Sequence, residues 1–478
     1  MSKYIFSNKC FIILFLCFLI TDGKLLAQDD NELQELSFEE FFELIVHRHP
    51  VARQAALLPE RARSEIRVAR GTLDPTINSR YSQKALDGKH YYHLLDNTLR
   101  IPTWFGVDFH VGYERNVGTY VNQQLETPHT GLAYGGVAIP LGQGLLIDHR
   151  RATIRQARLL PDLAEAEQIN MINRILLQAA RDYWNWAYYY NRLIFHRQGY
   201  ELASFRAEAV KQRVIFGDLA AIDSVEANIE AQNRNQMMRE SDVLFRNSSL
   251  ILSNYLWNDD EVPLELADNV VPDMRGSEII NITEDSLQEL KNEALRVHPQ
   301  LRMLDVRLQQ LDIERRLRVD RLKPNLTFQY HLLQRPLSLP ADDFNANFFT
   351  NNYRYGLHFN FPIFLRQERG NLQLTDLRIR ETALNLQQSN REIINNIRVA
   401  HNDLLVYEEL IEVQEEMVNN MRRLRDGEQR RFEAGESSVF LINTREINLI
   451  NSQVRLQELI SRYAIARSTL QWAAGRVF

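Results

Sequence analysis

Two long stretches of the chain carry apolar residues at helical spacing with almost no proline. They run from about 148 to 257 and from about 366 to 474. Seven-residue spacing is clearest in the second stretch, at Ile397, Leu404, Ile411 and Val418 and again at Ile442, Leu449, Leu456, Tyr463 and Leu470. Heptad spacing of this kind predicts a coiled-coil seam.

A turn near its middle divides each long stretch into two arms. The segments FGDLAAID and AGESSVFL supply Gly217 and Gly435, each suited to the C′ position of a helix and followed by polar N-cap candidates. An arm of about 65 residues would be on the order of 100 Å long at 1.5 Å per residue. We therefore expect two antiparallel helical hairpins that form a rod.

Before each hairpin the hydrophobic period changes to two. In LTFQYHL, for example, Leu326, Phe328 and Tyr330 alternate with polar neighbours. Strands of about ten residues with one aromatic-rich face suit a transmembrane barrel, whose outer face meets lipid and whose lumen is wet. The same alternation arises in a soluble sandwich, where the apolar face turns inward. The strands alone leave both alternatives open.

A sequence repeat joins these elements into two similar units. His-Pro occurs at 49–50 and again at 298–299, and each copy is followed by another proline 25 residues later, so the constant offset is 249. Other identities hold that register without gaps: Ser37 with Ser286, Glu40 with Glu289, Arg53 with Arg302, Glu65 with Glu314 and Tyr81 with Tyr330. The chain is predicted to be a tandem duplication.

The duplication gives a predicted domain organisation. A signal peptide occupies 1–27, a first repeat 28–260, a linker 261–282 and a second repeat 283–478. The first repeat has helices at 37–71, strands at about 76–141 and a helical hairpin at about 148–257. The second has helices at 283–323, strands at about 325–363 and a hairpin at about 366–474.

Prolines mark the expected helix breaks. The first helix should begin at a capping box formed by Ser37 and Glu40 and should break at Pro50. His49 and its counterpart His298 are interpreted as capping or packing residues rather than metal ligands. The structural breaks are assigned to Pro50, Pro75, Pro140, Pro299, Pro324 and Pro362.

The N-terminus has the pattern of a secretory signal peptide. Lysines precede an apolar block from Cys10 to Ile20, and Ala27 follows as a plausible last residue before cleavage. Eleven apolar residues fall short of the roughly 20 needed for a membrane anchor. Both cysteines, Cys10 and Cys17, lie in this segment, so the mature chain should have no disulfide, thiolate metal site or lipid anchor.

Charge and motifs exclude several functional classes. The formal net charge of the 478 residues is −6, and removal of the signal peptide makes it −8, which argues against nucleic-acid binding. No catalytic constellation, cofactor motif or metal site is recognised, so the protein is predicted not to be an enzyme. The aromatic cluster at 184–190 is interpreted as packing between helices.

Taken together, these features resemble the TolC family of outer-membrane efflux channels. The resemblance is carried by the segments LSFEEFFELIVHRHP and LQELKNEALRVHP, by the prolines that flank the strands, and by Gly217 and Gly435. It covers nearly the whole mature chain. The implied fold is mostly α with a small antiparallel β part, built from a duplicated unit of helices, strand pair and long helical hairpin.

The resemblance also implies an assembly and partners. Three copies, each with four strands, would form a twelve-stranded transmembrane β-barrel continued by a periplasmic α-helical coiled-coil barrel. The channel would be a passive exit duct of a tripartite efflux or type I secretion system in a Gram-negative outer membrane, with most of the chain in the periplasm. Its partners would be a periplasmic adaptor (membrane fusion) protein and an inner-membrane RND, ABC or MFS transporter.

In this family the helical tips contact the adaptor and form the closed end of the conduit. The corresponding contact candidates here are Arg213, Phe216, Gly217, Asp218, Arg431, Phe432, Gly435, Glu436 and Ser437. The candidate gate residues are Asp223, Glu226, Leu441 and Thr444. Two interpretations of Asp223 and Glu226 stay open: they pair with arginines of a neighbouring hairpin, or they are acids in a solvated first helical turn.

The chain departs from the family pattern at two places. The acidic ring that relatives often carry after the second tip glycine is absent, because Leu441 and Thr444 stand there. Copy one also has 31 extra residues before its tip, most of them in 84–106 and the segment after it, where an extra hairpin or a plugging loop is expected. The alternative function is a periplasmic coiled-coil adaptor or a structural protein of the cell envelope, which would require no detergent.

Overall fold

The computed structural model describes residues 33–273, 283–335 and 351–476. The predicted signal peptide and both cysteines lie outside the described residues, as does part of the predicted linker. The described chain is mostly helical with an antiparallel sheet, which confirms the predicted fold class at that level. The predicted trimer, closed barrel and tandem duplication stay predictions.

Helices occupy most of the described chain. The early ones are α1 (Phe38–Arg48) and α2 (Pro50–Gly71), and the first long stretch holds α3 (His149–Ala157), α4 (Leu160–Ile215) and α5 (Ala221–Ser253). The second part holds α6 (Glu284–Val297), α7 (Pro299–Asp320), α8 (Arg366–Glu433) and α9 (Val439–Ala473).

One compact unit comprises the described residues of Met1–Ile45, Arg181–Glu278 and Ile411–Ser461. Its core contains Tyr183, Trp184 and Trp186, all nearly fully buried, so the aromatic cluster packs between elements as the sequence predicted. The Trp186 indole donates to Ser249 Oγ over 3.0 Å. Because a buried indole usually finds a polar partner, this bond fixes the orientation of the Trp186 ring.

A short parallel strand pair belongs to the same unit. Strand β1 (Gln34–Leu36) pairs with β6 (Val270–Pro272). The Tyr183 hydroxyl lies 2.8 Å from the Leu36 carbonyl oxygen and 3.1 Å from that of Asp273. Burial raises the pKa of Tyr183 well above its usual value, so this hydroxyl remains a donor.

The second compact unit comprises the described residues of Val46–Ala180, Ile279–Leu410 and Arg462–Phe478. Its helices α2 and α7 each have 22 residues and begin at a proline. At both starts a histidine is the N-cap: His49 Nδ1 accepts from Val51 N over 3.1 Å, and His298 Nδ1 accepts from Gln300 N over 3.2 Å. The histidines therefore cap helices, as predicted.

The capping box predicted at the start of α1 is present. The Ser37 hydroxyl accepts from Glu40 N over 3.2 Å, and the Glu40 carboxylate accepts from Ser37 N over 3.1 Å. Two otherwise unpaired backbone donors of the first turn are thereby satisfied.

The second unit also contains an antiparallel sheet, in which the described residues form six strands. They are β2 (Thr76–Leu86), β3 (Lys89–Pro102), β4 (Asp108–Val117), β5 (Leu132–Pro140), β7 (Asn325–Gln334) and β8 (Tyr353–Asn360). Their order is β2-β3-β4-β5-β7-β8, and every neighbouring pair is antiparallel.

The prediction of four strands per chain is therefore wrong for the described residues. The additional strands are β3 and β4, which lie between β2 and β5, so the excess of copy one is a hairpin in the sheet rather than a plugging loop. Asp87 and Gly88 both have positive φ, 50° and 72°. Asp-Gly is a strong signal for the two-residue turn that joins antiparallel strands, and the sequence interpretation gave it no weight.

The first predicted long arm is also interrupted. Helix α3 ends at Ala157 and α4 begins at Leu160, whereas the second arm is one helix of 68 residues. Pro161 follows directly after the interruption. Proline is tolerated in the first turn of a helix but disrupts its interior, which explains why a new helix starts there.

The heptad positions are buried, as predicted. Ile397, Leu404, Ile411 and Val418 are each at most 5% exposed. In α9 the positions Ile442, Leu449, Tyr463 and Leu470 are buried, and Leu456 is half-buried. The seven-residue pattern therefore identified the seam correctly.

Across residues 33–273, 283–335 and 351–476, no helix combines the length and the hydropathy needed to cross a lipid bilayer.

Candidate functional site

The first helical tip is a Schellman turn. Gly217 N donates to Val214 O over 3.1 Å, and Asp218 N donates to Arg213 O over 2.9 Å. Gly217 has φ +85°, and a Cβ added to it would meet nothing within 4 Å. The backbone conformation, rather than lack of space, therefore requires glycine here.

The second tip repeats this geometry. Gly435 N donates to Phe432 O over 3.1 Å, and Glu436 N donates to Arg431 O over 2.8 Å, while Gly435 has φ +79°. Ser438 then caps α9, because its hydroxyl accepts from Leu441 N over 3.3 Å. Both turns thus satisfy their terminal backbone groups in the same way.

A small apolar cluster brings the two tips together within the first unit. Val210 of α4, Ala227 of α5 and Val439 of α9 are each 2% exposed and form its centre. Phe432 and Val214 pack against them. Because residues from both hairpins share one buried cluster, the two turns form a single surface.

The predicted contact residues divide into two groups on this surface. Phe432 and Ser437 are half-buried, whereas Phe216 is 77% exposed. The remaining exposed members are Arg213, Gly217, Asp218, Arg431, Gly435 and Glu436. The exposed group includes apolar, basic and acidic side chains, which suits recognition of another protein.

The four candidate gate residues are half-buried, and two of them, Asp223 and Thr444, form hydrogen bonds within their own helical segments. The Asp223 carboxylate accepts from Ala220 N over 3.2 Å, a bond typical of an acid in the first turn of a helix. Thr444 Oγ1 donates to Phe440 O over 2.8 Å within its own helix. Glu226 and Leu441 complete the set.

A buried carboxylate that the sequence interpretation missed supports the second tip. Glu428 is 6% exposed and accepts from the Ser437 hydroxyl over 2.6 Å. The guanidinium groups of Arg431 and Arg445 lie 3.8 Å and 3.7 Å from its oxygens. One acid therefore connects the turn with the helices on both sides of it.

A second missed feature is a buried ion-pair cluster of Arg206, Arg234 and Glu446, which joins α4, α5 and α9. Arg234 Nη1 donates to Glu446 Oε2 over 2.9 Å, and Arg206 Nη1 donates to the same oxygen over 2.8 Å. Burial acts to raise the pKa of Glu446, but the hydrogen bonds and charges of the two arginines outweigh it and hold that pKa below its usual value. The carboxylate is thus ionised at neutral pH.

A sequence signal for this cluster exists. Ala227, Arg234, Ser241 and Ser248 follow one another at intervals of seven and are all buried in α5. Glu446 lies four residues after Ile442, on the predicted seam of α9. A charged residue at a seam position needs a buried partner of opposite charge, so the pattern could have identified the pair.

The sheet in the second unit forms a separate candidate site, because its two faces differ sharply. The strand register places apolar side chains in rows across one face, for example Ile77, Leu99, Val111, Leu332 and Tyr353. Further members are Ile101, Phe109, Val137, Ile139, Leu326, Phe328, Tyr330, Tyr355, Leu357 and Phe359. Many of them are exposed, including Ile77 at 81% and Tyr355 at 66%.

The opposite face carries a polar network. Arg354 of β8 donates to Glu114 of β4 over 3.1 Å and lies 5.3 Å from the centre of the Tyr134 ring. The Tyr134 hydroxyl contacts Asp96 at 3.1 Å and Thr98. These contacts span four of the six strands.

The base of the polar face is tied to the helix that follows it. Asp108 of β4 accepts from Arg150 of α3 over 2.8 Å and also pairs with Arg100 of β3. Asp148 caps α3 by accepting from Arg151 N over 2.8 Å. A cavity of about 290 Å³ lies beside these residues.

Among the described residues, no group of three histidine, cysteine, aspartate or glutamate side chains is arranged to hold a metal ion. His90 and His93 stack against each other near the start of β3, with ring centres 5.7 Å apart.

A comparison with family models finds a match over residues 290–476, and the matching family is described as outer membrane efflux protein. Residues 290–476 are similar to the outer membrane efflux protein family. The predicted resemblance to efflux channels is therefore confirmed. The matching family is one of outer-membrane proteins, in agreement with the predicted location. A comparison with curated proteins found no match.

Solved structures of outer-membrane channels share the fold of most of this chain. The CmeC outer membrane channel of Campylobacter jejuni is 13% identical, with 92% of this chain and 85% of CmeC covered and a TM-score of 0.64. VceC of Vibrio cholerae is 14% identical, with coverages of 92% and 96% and a TM-score of 0.62. The MtrE outer membrane channel of Neisseria gonorrhoeae is 12% identical, with coverages of 94% and 93% and a TM-score of 0.63.

Proposed function

We propose that this protein is the passive outer-membrane exit duct of a tripartite efflux system in a Gram-negative cell. Three copies would close their sheets into one barrel through the outer membrane, with the helical hairpins in the periplasm. The observation that carries the proposal is the two-faced sheet, which has exposed aromatic and aliphatic rows on one side and charged, hydrogen-bonded groups on the other.

The two faces fit lipid and water respectively. Lipid-facing rows of a transmembrane barrel are apolar and the lumen is polar. A soluble sandwich would instead bury its apolar face, yet side chains such as Leu357 and Phe359 are more than 60% exposed. Sheet edges must be closed in hydrocarbon, because unpaired backbone groups are costly there.

The joined helical tips are the proposed docking surface for a periplasmic adaptor protein. Phe216 would supply the apolar anchor, and Arg213, Arg431 and Glu436 would supply charged contacts around it. The adaptor would connect the duct to an inner-membrane transporter of the RND, ABC or MFS type. Cargo would be small molecules or, in a type I secretion system, proteins.

The test starts from the full-length gene expressed in a Gram-negative host. Outer and inner membranes are separated, and the detergent-extracted protein is analysed for mass and for single-channel conductance in a planar bilayer. We expect an outer-membrane trimer that opens a pore. A water-soluble monomer without conductance would refute the proposal and return the protein to the adaptor or structural class.

A further inference from the structure

We propose that three copies of this chain form a barrel of eighteen strands, with β2 of each copy pairing with β8 of the next. This inference rests on the proposed function. The observation behind it is the six-stranded antiparallel sheet of the second unit. Its outer strands, β2 and β8, each pair with one neighbour in the described chain.

Strand direction permits this closure. Because all five neighbouring pairs are antiparallel and the strands number six, β2 and β8 run in opposite directions. A rotation about a threefold axis keeps the direction of every strand. The β2 of the next copy therefore meets β8 in antiparallel orientation, and the alternation continues around the ring without a break.

The apolar face and the polar face of the sheet both extend to its outer strands, β2 and β8. Ile77 of β2 and Tyr353 of β8 end the same row of the apolar face, and both are exposed. On the polar face Arg80 of β2 pairs in register with Asp96, and Arg354 lies on β8. A copy added at either edge thus finds lipid-facing and lumen-facing residues already in matching positions.

The hairpin of β3 and β4 would be part of the barrel wall, because it lies between β2 and β5 in the sheet. β2 follows directly after Pro75, and β5 ends at Pro140, a few residues before α3 begins. The hairpin of β3 and β4 separates these two strands in the sheet and pairs with both of them. The register between β2 and β3 shifts only between Lys84 and Ala85, close to the turn at Asp87 and Gly88. Removing it from the wall would require β2 and β5 to pair with each other instead.

The number of strands determines the diameter of the barrel. With strands about 4.8 Å apart and tilted by about 40°, eighteen strands give a backbone diameter of about 36 Å, against about 24 Å for twelve. Barrels of 16 to 18 strands leave an aqueous channel. The outlet would therefore be half as wide again as one built from four strands per copy.

Engineered cysteine pairs test the arrangement in the full-length channel. The sequence has cysteines only at 10 and 17, so pairs placed in the sheet report without interference from the mature chain. One set combines a cysteine at 77, 79 or 81 on β2 with one at 353, 355 or 357 on β8. A disulfide between copies converts the protein into covalent dimers and trimers on a denaturing gel.

A second set tests the wall inside each copy and contains its own control. Ser79, Asn97, Tyr113 and Ala133 lie in one row of the sheet. The pair Ser79→Cys with Asn97→Cys should oxidise and resist labelling by a polymer-linked maleimide. Ser79→Cys with Ala133→Cys should remain labelled, because three strand spacings amount to about 14 Å and a disulfide needs Cα atoms within about 7 Å.

The possible results of the two cysteine sets distinguish eighteen strands from twelve and test the proposed function separately. Covalent trimers from the first set, with protection of the 79/97 pair and labelling of the 79/133 pair, support eighteen strands. A pore-forming trimer with a protected 79/133 pair has twelve strands and overturns this inference while the proposed function stands. A pore-forming trimer without any link between β2 and β8 also overturns it. Absence of an outer-membrane trimer refutes the proposed function itself.

Discussion

Arg234 donates from Nη1 to Oε2 of Glu446 over 2.9 Å, although 212 residues separate the two in the chain. Their side chains are only 2% and 5% exposed. Arg206 shares the same carboxylate and belongs to the same compact unit. Arg234 also pairs with Glu230 over 2.7 Å. Glu446 therefore contacts both buried arginines and holds three helices together near the tips.

Replacement of Glu446 by leucine should destabilise the protein by about 3–5 kcal/mol, because the buried Arg206 loses the carboxylate that it pairs with and Arg234 keeps only Glu230. Chemical unfolding of the detergent-solubilised protein, followed by circular dichroism, measures the loss. Glu208→Gln is the matched control, since Glu208 forms an exposed pair with Lys211 on the same helix α4 and should change little. Equal effects of the two variants would contradict the role given to Glu446.

Gly217→Ala and Gly435→Ala should each destabilise their tip by about 1 kcal/mol, because alanine is strained at positive φ. Hydrogen exchange of the backbone amides around the turns detects the loosening. Gly427→Ala provides the opposite control: this glycine lies inside α8 with open space around it, so alanine should stabilise the helix by about 0.5–1 kcal/mol. Stabilisation at all three sites would show that the turns do not need glycine.

Phe216→Ala should weaken adaptor binding at least tenfold without changing the unfolding midpoint, because exposed aromatic residues at an interface contribute strongly to binding and little to folding. Phe205→Ala is the control. Phe205 is also 77% exposed on α4 but lies eleven residues before Phe216. Surface plasmon resonance with a periplasmic adaptor protein from the same organism measures both affinities. Equal losses for the two variants would contradict a docking surface confined to the tips.

Arg354→Ala should shift the channel toward cations, because Glu114 on the polar face then loses its partner. Reversal potentials across a bilayer under a salt gradient measure the selectivity. The exchange variant Glu114→Arg with Arg354→Glu keeps the pair and should restore the original value. An unchanged reversal potential in Arg354→Ala would place this face outside the lumen.

Stability should fall as the pH drops from about 6.5 to about 4. Burial lowers the pKa of His298 to about 4 from 6.5, so the folded state resists protonation. The neutral ring stabilises the folded state fully above 6.5, and that contribution is lost as the pH falls toward 4. His298→Asn keeps an N-cap acceptor and should flatten this part of the unfolding-midpoint curve. An unaltered slope would assign the pH dependence to other groups.

The heptads and the capping box could be predicted from sequence because each depends on local spacing. Ser37 and Glu40 are three residues apart, and the seam residues of α8 and α9 repeat every seven. Local geometry determines such contacts regardless of what lies elsewhere in the chain. Gly217 and Gly435 belong to the same group, since a turn of positive φ is a property of a few residues.

Contacts between distant segments were harder to predict. The pairing of Arg354 with Glu114 spans 240 residues and depends on the strand order. The six-strand sheet was missed for another reason: β3 has Leu94 and Leu95 in succession, which breaks the period of two, and the Asp87-Gly88 turn was the remaining local signal. In the structure the Asp87-Gly88 turn joins β2 to β3 although β3 does not alternate strictly between apolar and polar residues.

The β3-β4 hairpin also limits how such channels can diverge. Insertion of one strand would reverse the direction of the next strand and misplace the helix that follows, whereas a two-stranded hairpin preserves both. In a threefold assembly each inherited hairpin is copied three times. Outlets of this architecture would therefore widen in discrete steps of six strands, and intermediate bores would be inaccessible to single insertions.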